Sequence, residues 1–328
     1  MRYVILGGGG SFGINCALYL LDQADTDLVI GIGRSPLRPE PFSLGVEKRA
    51  HYAYNVRHLV HELDETLALL DAIEPDVIVN FAAQGEGAVS WQHSWRFFET
   101  NCVALSKLTE ALMQREYLKR FVQIGTSELY GSVSAPATED APIKPSSPYA
   151  ASKAAFDLHL MAINRTLGFP MNIIRPSNAY CPGQLLHRVI PRAIVCGLTG
   201  RKLPLQGGGR AEKSYIHAED LARAIHLVAT KAPLGAVYNA GPREPISIRA
   251  LVETIAEQIG IAFEDLCEIT DDRPGQDARY WLDSSAIKNA VGWEPEIGLV
   301  DGVHDMIRWA HNHIETLRTW PQTYELRP

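Results

Sequence analysis

The feature that most constrains the fold is a glycine-rich turn near the start of the chain, between a short apolar run and a helical stretch. Residues 3–6 predict a buried strand, and residues 14–22 predict a helix. Between them, Gly7, Gly10 and Gly13 recur at every third position. Glycine permits a tight turn and a close approach of the backbone to a phosphate, and helix N-termini attract anions. This strand–turn–helix unit predicts a dinucleotide-binding α/β domain.

The rest of the first half repeats the alternation of strands and helices. Further strands are predicted at 28–32, 76–81, 120–124 and 171–174, and helices at 65–73, 95–115 and 150–164. Such alternation predicts an α/β protein with a Rossmann-type doubly wound parallel sheet and right-handed crossovers.

The pattern changes after Arg175, where the chain becomes rich in Pro, Gly and basic residues. Helices at 219–230 and 248–259 and a short strand at 236–239 predict a smaller C-terminal α/β lobe that holds the substrate. The expected division is a cofactor-binding domain of residues 1–175 plus about 214–232, and a substrate lobe of residues 176–213 and 233–328.

Composition excludes several classes of protein. The chain has 328 residues and a net charge of −7, which argues against nucleic acid or an anionic membrane as a partner. No apolar stretch is long enough to span a bilayer, and the N-terminus does not resemble a signal peptide. The five cysteines are scattered without a C-x-x-C pair, so we expect a cytoplasmic protein with neither a disulfide framework nor a metal site.

Tyr149 and Lys153 form the strongest catalytic motif. They lie four positions apart at the start of the predicted helix 150–164, and therefore share one helix face. A nearby ammonium favours the phenolate and lowers the pKa of a tyrosine. A phenolate tuned in this way can take the proton of an alcohol while a hydride leaves the same carbon.

Together these motifs resemble the extended short-chain dehydrogenase/reductase family, the NAD(P)-dependent nucleotide-sugar epimerases and dehydratases. The resemblance covers nearly the whole chain and extends to Lys288–Pro295, which matches a closing signature of the family. It implies a tightly bound NAD or NADP that is recycled in each turnover, and a nucleotide-diphosphate sugar as substrate. The implied cofactor-binding residues are Gly7, Gly10, Ser11, Phe12, Gly13, Arg34, Ala82, Ala83, Tyr149, Lys153 and Pro176. The implied substrate-binding residues are Gln84, Glu86, Asn178, Arg192, Lys213 and Arg273.

The cofactor itself stays open between NAD and NADP. The acidic residue that binds the adenosine ribose would stand at the end of the second strand, and this chain has Gly33-Arg34-Ser35 there. Arg34 is suited to a 2′-phosphate, which favours NADP.

The segment Thr126-Ser127-Glu128 restricts the type of reaction that we expect. It follows a predicted strand and resembles the corresponding segment of GDP-mannose 4,6-dehydratases. The resemblance implies that Tyr149 acts at C4 of the sugar, that Thr126 hydrogen-bonds the substrate, and that Glu128 removes the C5 proton before water leaves from C6. Ser127 stands where dTDP-glucose dehydratases carry an Asp, so water or Glu128 must protonate the leaving group.

Other functions fit the same motifs. A 5,6-dehydratase would return the hydride to C4, and a 4-epimerase would use Glu128 only structurally. A UDP-glucuronate decarboxylase would need a stronger cationic anchor than Lys213. A non-catalytic cofactor-sensing protein is the alternative from another class. The helices at 95–115 and 150–164 resemble those that pair in the family's homodimers.

Overall fold

The computed structural model describes residues 1–271, 277–324 and 326. The strands are β1 (Arg2–Leu6), β2 (Leu28–Gly33), β3 (Tyr52–Val56), β4 (Val77–Asn80), β5 (Arg120–Ile124), β6 (Met171–Pro176), β7 (Asn178–Tyr180), β8 (Leu203–Gln206), β9 (Glu212–Lys213), β10 (Tyr215–His217), β11 (Val237–Ala240), β12 (Ile246–Ser247) and β13 (Cys267–Thr270). The helices are α1 (Ser11–Leu21), α2 (Leu63–Ile73), α3 (Ser94–Phe98), α4 (Leu105–Leu112), α5 (Pro148–Leu167), α6 (Val189–Leu198), α7 (Ala218–Lys231), α8 (Ile248–Ile259), α9 (Phe263–Leu266), α10 (Ser285–Val291), α11 (Leu299–Asn312) and α12 (Ile314–Leu317).

A seven-stranded parallel sheet forms the centre of the first lobe. Its strand order is β11-β6-β5-β4-β1-β2-β3. The order reverses at β1, which pairs with β2 on one side and β4 on the other. In doubly wound sheets, ligands bind at the carboxyl ends of the strands beside such a reversal. The predicted Rossmann-type fold class is confirmed.

Helices cover both faces of this sheet because the strands are apolar on both sides. One buried cluster joins the sheet to α1, α7 and α10, and a second joins it to α2, α4 and α5. The helix α5 has clear end signals, since the Ser147 hydroxyl accepts a hydrogen bond from the Ala150 amide at 3.2 Å. Pro148 stands in its first turn and Gly168 ends it with a φ of +73°.

The second lobe has its own core, in which α6, α8 and α11 pack together. It carries the two-stranded pairs β8–β13 and β9–β12. The sequence prediction places residues 233–328 in this lobe, but β11 pairs with β6 in the central sheet. The strand therefore belongs to the first lobe, because its buried residues complete the sheet beyond β6. The other domain boundaries stay predictions.

The predicted helix at 95–115 is not one regular helix. Residues Glu99–Ala104 form a π-helical turn between α3 and α4. Such turns widen a helix locally and are frequent at functional sites. Among the described residues, no helix is both long and apolar enough to cross a membrane.

Candidate active site

The turn between β1 and α1, which we call the glycine cradle (residues 7–13), leaves no room for side chains at Gly7 and Gly13. Gly7 has a φ of +78°, and a Cβ there would lie 2.7 Å from the Ala82 amide nitrogen. A Cβ on Gly13 would lie 2.6 Å from the Gly7 carbonyl oxygen. The first turn of α1 carries no acidic residue. These features fit the pyrophosphate of a dinucleotide, which needs close backbone approach and the amides of a helix N-terminus.

A cavity of about 630 Å³ extends from this turn into the second lobe. Most of the predicted site residues line it: Gly7, Gly10, Ser11, Phe12, Gly13, Ala83, Glu86, Thr126, Ser127, Glu128, Tyr149, Lys153, Pro176, Asn178, Arg192 and Lys213. Arg34, Ala82 and Gln84 are not among its lining residues. Arg273 lies outside the described residues. The cavity thus joins the nucleotide turn, the catalytic motif and the cationic residues in one space.

Tyr149 and Lys153 both reach this cavity from the first turns of α5. The side chain of Lys153 is buried, and its Nζ donates a hydrogen bond to the Ile124 carbonyl at 2.6 Å. Burial lowers the pKa of Lys153 to about 8, although the carboxylate of Asp157 opposes this. Lys153 is therefore a cation that can lose its proton in the physiological range.

The expected lowering of the pKa of Tyr149 is wrong for this structure. Burial raises the pKa of Tyr149, and the negative charge of Glu128 raises it further. Arg188 and a hydrogen bond with the Thr126 side chain oppose the increase. Burial disfavours the charged form of Lys153 as well, so the ammonium and the phenolate are present together only in a small fraction of the molecules.

Glu128 lies next to Tyr149 at the carboxyl end of β5. Its backbone amide donates a hydrogen bond to the Thr126 hydroxyl at 3.2 Å, which fixes the short turn that carries it. Burial raises the pKa of Glu128, while Lys213 and Arg188 partly offset this and Glu86 adds to it. A carboxylate with a raised pKa is a stronger base, as proton transfer from carbon requires.

Cations from the second lobe face these acidic groups. Lys213 is buried beside the Tyr280 ring, with its Nζ 3.3 Å from the ring centre. Arg192 lines the cavity, and its Nε is buried without a hydrogen-bond partner among the described residues. Asn178 begins β7 at the same wall. Two cations and an amide on one wall of the cavity suit the binding of a phosphate.

Sequence reasoning missed Arg188, which joins the two lobes across the cavity. Its Nη1 lies 3.4 Å from a carboxylate oxygen of Glu86, and its Nη2 donates to the Gly85 carbonyl at 2.8 Å. Burial lowers the pKa of its neighbour His187 to about 4, so that imidazole is neutral. No local motif distinguishes Arg188, because its partners are about a hundred residues away in the chain.

Asn101 was also missed, and it fixes the loop that carries Glu86. It lies in the π-helical turn and is fully buried. Its side chain accepts from the Gln84 amide at 2.7 Å and donates to the Gln84 carbonyl at 3.1 Å and the Ser152 hydroxyl at 2.9 Å. The loop after β4 is thereby tied to the helix that presents Tyr149. The sequence does contain a signal for this role, because Asn is unfavourable inside a helix unless its side chain finds such hydrogen-bond partners.

The chain is similar to a described protein family, to curated relatives and to solved structures. The sequence profile of a family described as GDP-mannose 4,6 dehydratase matches residues 4–306. A low-salt glycan biosynthesis protein of Haloferax volcanii is 34% identical over 307 residues, covering 92% of this chain and 96% of that protein. A dTDP-glucose 4,6-dehydratase of Streptomyces griseus is 35% identical over 246 residues, covering 75% of this chain and 73% of that protein. The crystal structure of dTDP-glucose 4,6-dehydratase from Bacillus anthracis in complex with NAD matches with a TM-score of 0.87 at 29% identity, covering 96% of this chain and 98% of that one.

Proposed function

Because this chain belongs to the GDP-mannose 4,6 dehydratase family, we propose that its cavity converts a nucleotide-diphosphate hexose into a 4-keto-6-deoxy sugar. The chain is an NAD(P)-dependent nucleotide-sugar 4,6-dehydratase, a lyase that belongs to the extended short-chain dehydrogenase/reductases.

One observation carries the assignment of roles: Glu128 and Tyr149 border the same small space. The position that a Cβ of Gly87 would occupy lies 3.5 Å from Glu128 Oε2 and 3.9 Å from Tyr149 Cδ1. A sugar ring at the adjoining part of the cavity would present neighbouring carbons to the phenol and the carboxylate. Proton removal at C4 and at C5 needs two groups arranged in this way.

The residues then act in sequence. Tyr149 takes the proton of the C4 hydroxyl, with Thr126 hydrogen-bonded to the phenol. The C4 carbonyl that results acidifies the C5 proton, which Glu128 removes, and the C6 hydroxyl leaves as water. A bound nicotinamide would supply removal of a hydride from C4 and its return at C6. As the hydride returns, C5 regains a proton that solvent supplies through Glu128, and Tyr149 releases to solvent the proton that it took from the C4 hydroxyl.

The proton for the leaving hydroxyl comes from Glu128 in this scheme. Ser127 is buried at the cavity wall and has no acidic proton to give at neutral pH. Glu128 holds the proton from C5 after the first transfer. Its raised pKa keeps that proton available until the C6 oxygen accepts it.

Lys213, Arg192 and Asn178 bind the diphosphate of the substrate in this proposal. All three line the cavity, which also includes the glycines of the turn between β1 and α1. Two cations and an amide suit a group with two negative charges and many acceptor oxygens. We propose that Glu86 contacts the sugar, since it directly precedes Gly87 in the loop after β4.

We also propose a homodimer formed through α3 and α5. These helices contact each other, and they expose large apolar side chains. The exposed fraction is 63% for Trp95, 49% for Leu158 and 38% for Met161. Exposed apolar side chains on two helices in contact suit a protein interface, and a second copy of the chain would cover them by two-fold symmetry. We propose that the protein is located in the cytoplasm, because a reducing compartment suits its five free cysteine thiols.

A panel of GDP-, UDP-, dTDP- and CDP-hexoses tests the function. We expect one of them to lose one water, as measured by mass spectrometry, and its product to show a C4 carbonyl and a C6 methyl group by NMR. A product of unchanged mass would establish epimerisation instead. A 5,6-double bond with a C4 hydroxyl would establish return of the hydride to C4. Either result would overturn the proposal.

A further inference from the structure

A buried ion pair lies behind the catalytic lysine, outside the cavity. Asp157 and Arg175 are 0% and 1% exposed, and the Arg175 Nε lies 3.0 Å from Asp157 Oδ2. Asp157 lies on α5 one turn after Lys153, so the two side chains share a helix face. Arg175 comes from β6, next to the strand that carries the Thr126 turn.

Arg175 is fixed from its far side as well. Its Nη1 donates to the Tyr130 hydroxyl at 2.8 Å and to the Glu139 carbonyl at 3.1 Å. The end of β5 packs directly on the pair, since a Cβ on Gly125 would lie 3.0 Å from both Asp157 Oδ2 and Arg175 Cγ. The carboxylate of Asp157 therefore has little freedom to move.

The second oxygen of this carboxylate, Asp157 Oδ1, is buried and has no hydrogen-bond partner among the described residues. A buried carboxylate oxygen without a partner is costly. The neighbouring Lys153 is also buried, at 3% exposure, and within the described part of the chain its Nζ donates a hydrogen bond to a neutral group, the Ile124 carbonyl. A buried ammonium needs an anion nearby to stay charged.

We propose that Asp157 is a positioning residue that keeps Lys153 protonated and directed at Tyr149, and that Arg175 holds the Asp157 carboxylate in place for this purpose. The charged and titratable groups around Lys153 support this. Asp157 faces it from α5, where Tyr149 lies one turn before Lys153, the Ile124 carbonyl faces it from β5, and Arg175 lies beyond Asp157 on β6. Asp157 is therefore the counter-charge of Lys153, and it also raises the pKa of Lys153 against the effect of burial. The inference rests on the proposed function only in assigning Tyr149 and Lys153 to catalysis.

The effect on catalysis can be separated from an effect on folding. The active state has Lys153 protonated and Tyr149 ionised. Well below the pKa of Lys153, the population of this state does not depend on that pKa. At pH values above the pKa of Lys153, lowering that pKa by one unit reduces the population of the active state tenfold. Loss of the Asp157 charge should thus reduce the rate at high pH and not at low pH.

The test compares Asp157→Asn with the wild-type holoenzyme. The dehydration rate should fall about tenfold or more near pH 9 and stay within about twofold near pH 6, as expected for loss of one close opposite charge. A second readout needs no turnover: trace acetylation of Lys153 at varied pH, quantified by peptide mass spectrometry. Its midpoint, near 8 in the wild type, should move at least about one pH unit lower.

Asp157→Asn leaves Arg175 without its partner and can impair folding. The double variant Asp157→Val/Arg175→Met replaces the whole pair by apolar side chains of similar summed volume, which buried sites often tolerate. It should show the same loss at high pH and the same lowered midpoint. The matched control is Asp220→Asn, which removes a buried carboxylate paired at 3.2 Å with the partly buried Arg223; neither residue lines the cavity. It should leave the pH profile and the midpoint unchanged.

An equal loss of rate at both pH values, or an unchanged acetylation midpoint, would overturn the inference and leave Asp157 with a structural role only. If the wild type dehydrates no nucleotide sugar while the midpoint still moves, the proposed function is wrong and the inference about Lys153 stands.

Discussion

Replacing Glu128 by Gln tests the assignment of the two proton-transfer steps. The substitution keeps the size of the side chain and removes its charge and basicity. A general base contributes about 10²–10⁴-fold to a rate, which corresponds to roughly 3–5 kcal/mol of transition-state stabilisation. We expect elimination to fall by this factor. Oxidation at C4 should not slow, because Glu128 raises the pKa of Tyr149 and its charge would be gone.

The assay separates these steps within one turnover. Absorbance of the reduced cofactor follows oxidation at C4, and NMR in deuterium oxide follows exchange of the C5 proton. In Glu128→Gln, reduced cofactor should accumulate while exchange at C5 stops. The matched control is Ser127→Ala, which should lower the overall rate less than about tenfold because a serine hydroxyl is a poor acid. Elimination by Glu128→Gln within tenfold of the wild-type rate would refute the role of Glu128 as the C5 base.

Three further predictions follow from the same structure. Lys213→Met should raise the KM for the nucleotide sugar at least about tenfold. It should also move the acid limb of the pH–rate profile to higher pH, because Lys213 lowers the pKa of Glu128. If neither the KM nor the acid limb changes, Lys213 is not part of the site. Gly13→Ala should lose bound nicotinamide cofactor, measured in the purified protein, because its Cβ would lie 2.6 Å from the Gly7 carbonyl oxygen; full occupancy would contradict the cradle. Leu158→Glu should convert the proposed dimer to a monomer in light scattering, whereas Leu234→Glu, an exposed apolar position elsewhere, should not.

Features that depend on neighbours in the chain could be predicted from the sequence. The spacing of Gly7, Gly10 and Gly13 predicted the tight turn between β1 and α1, because that turn involves only residues close together in the chain. The pairing of Tyr149 with Lys153 follows from helix geometry, and Ser147, Pro148 and Gly168 mark the ends of their helix. The order of strands and helices implied the parallel sheet, because right-handed crossovers leave few alternatives.

Features that depend on distant parts of the chain could not be predicted in this way. Arg188 enters the site from the second lobe, and Glu86, its partner, comes from the loop after β4. Asn101 acts through a π-helical turn that regular periodicity does not reveal. The strand β3 was missed because its partly exposed residues have no clear apolar alternation, and β11 was assigned to the wrong lobe because pairing partners cannot be read from a short apolar run.

The error in the pKa of Tyr149 shows how burial changes the meaning of a motif. From the sequence, Lys153 is the cation that favours the phenolate. In the structure, burial weakens that cation and raises the pKa of Tyr149, and the charge that lowers the phenol pKa most is Arg188. Arg188 belongs to the second lobe and also lowers the pKa of Glu128. Both proton-transfer groups of the first lobe therefore owe part of their acid–base properties to a cation that the second lobe supplies.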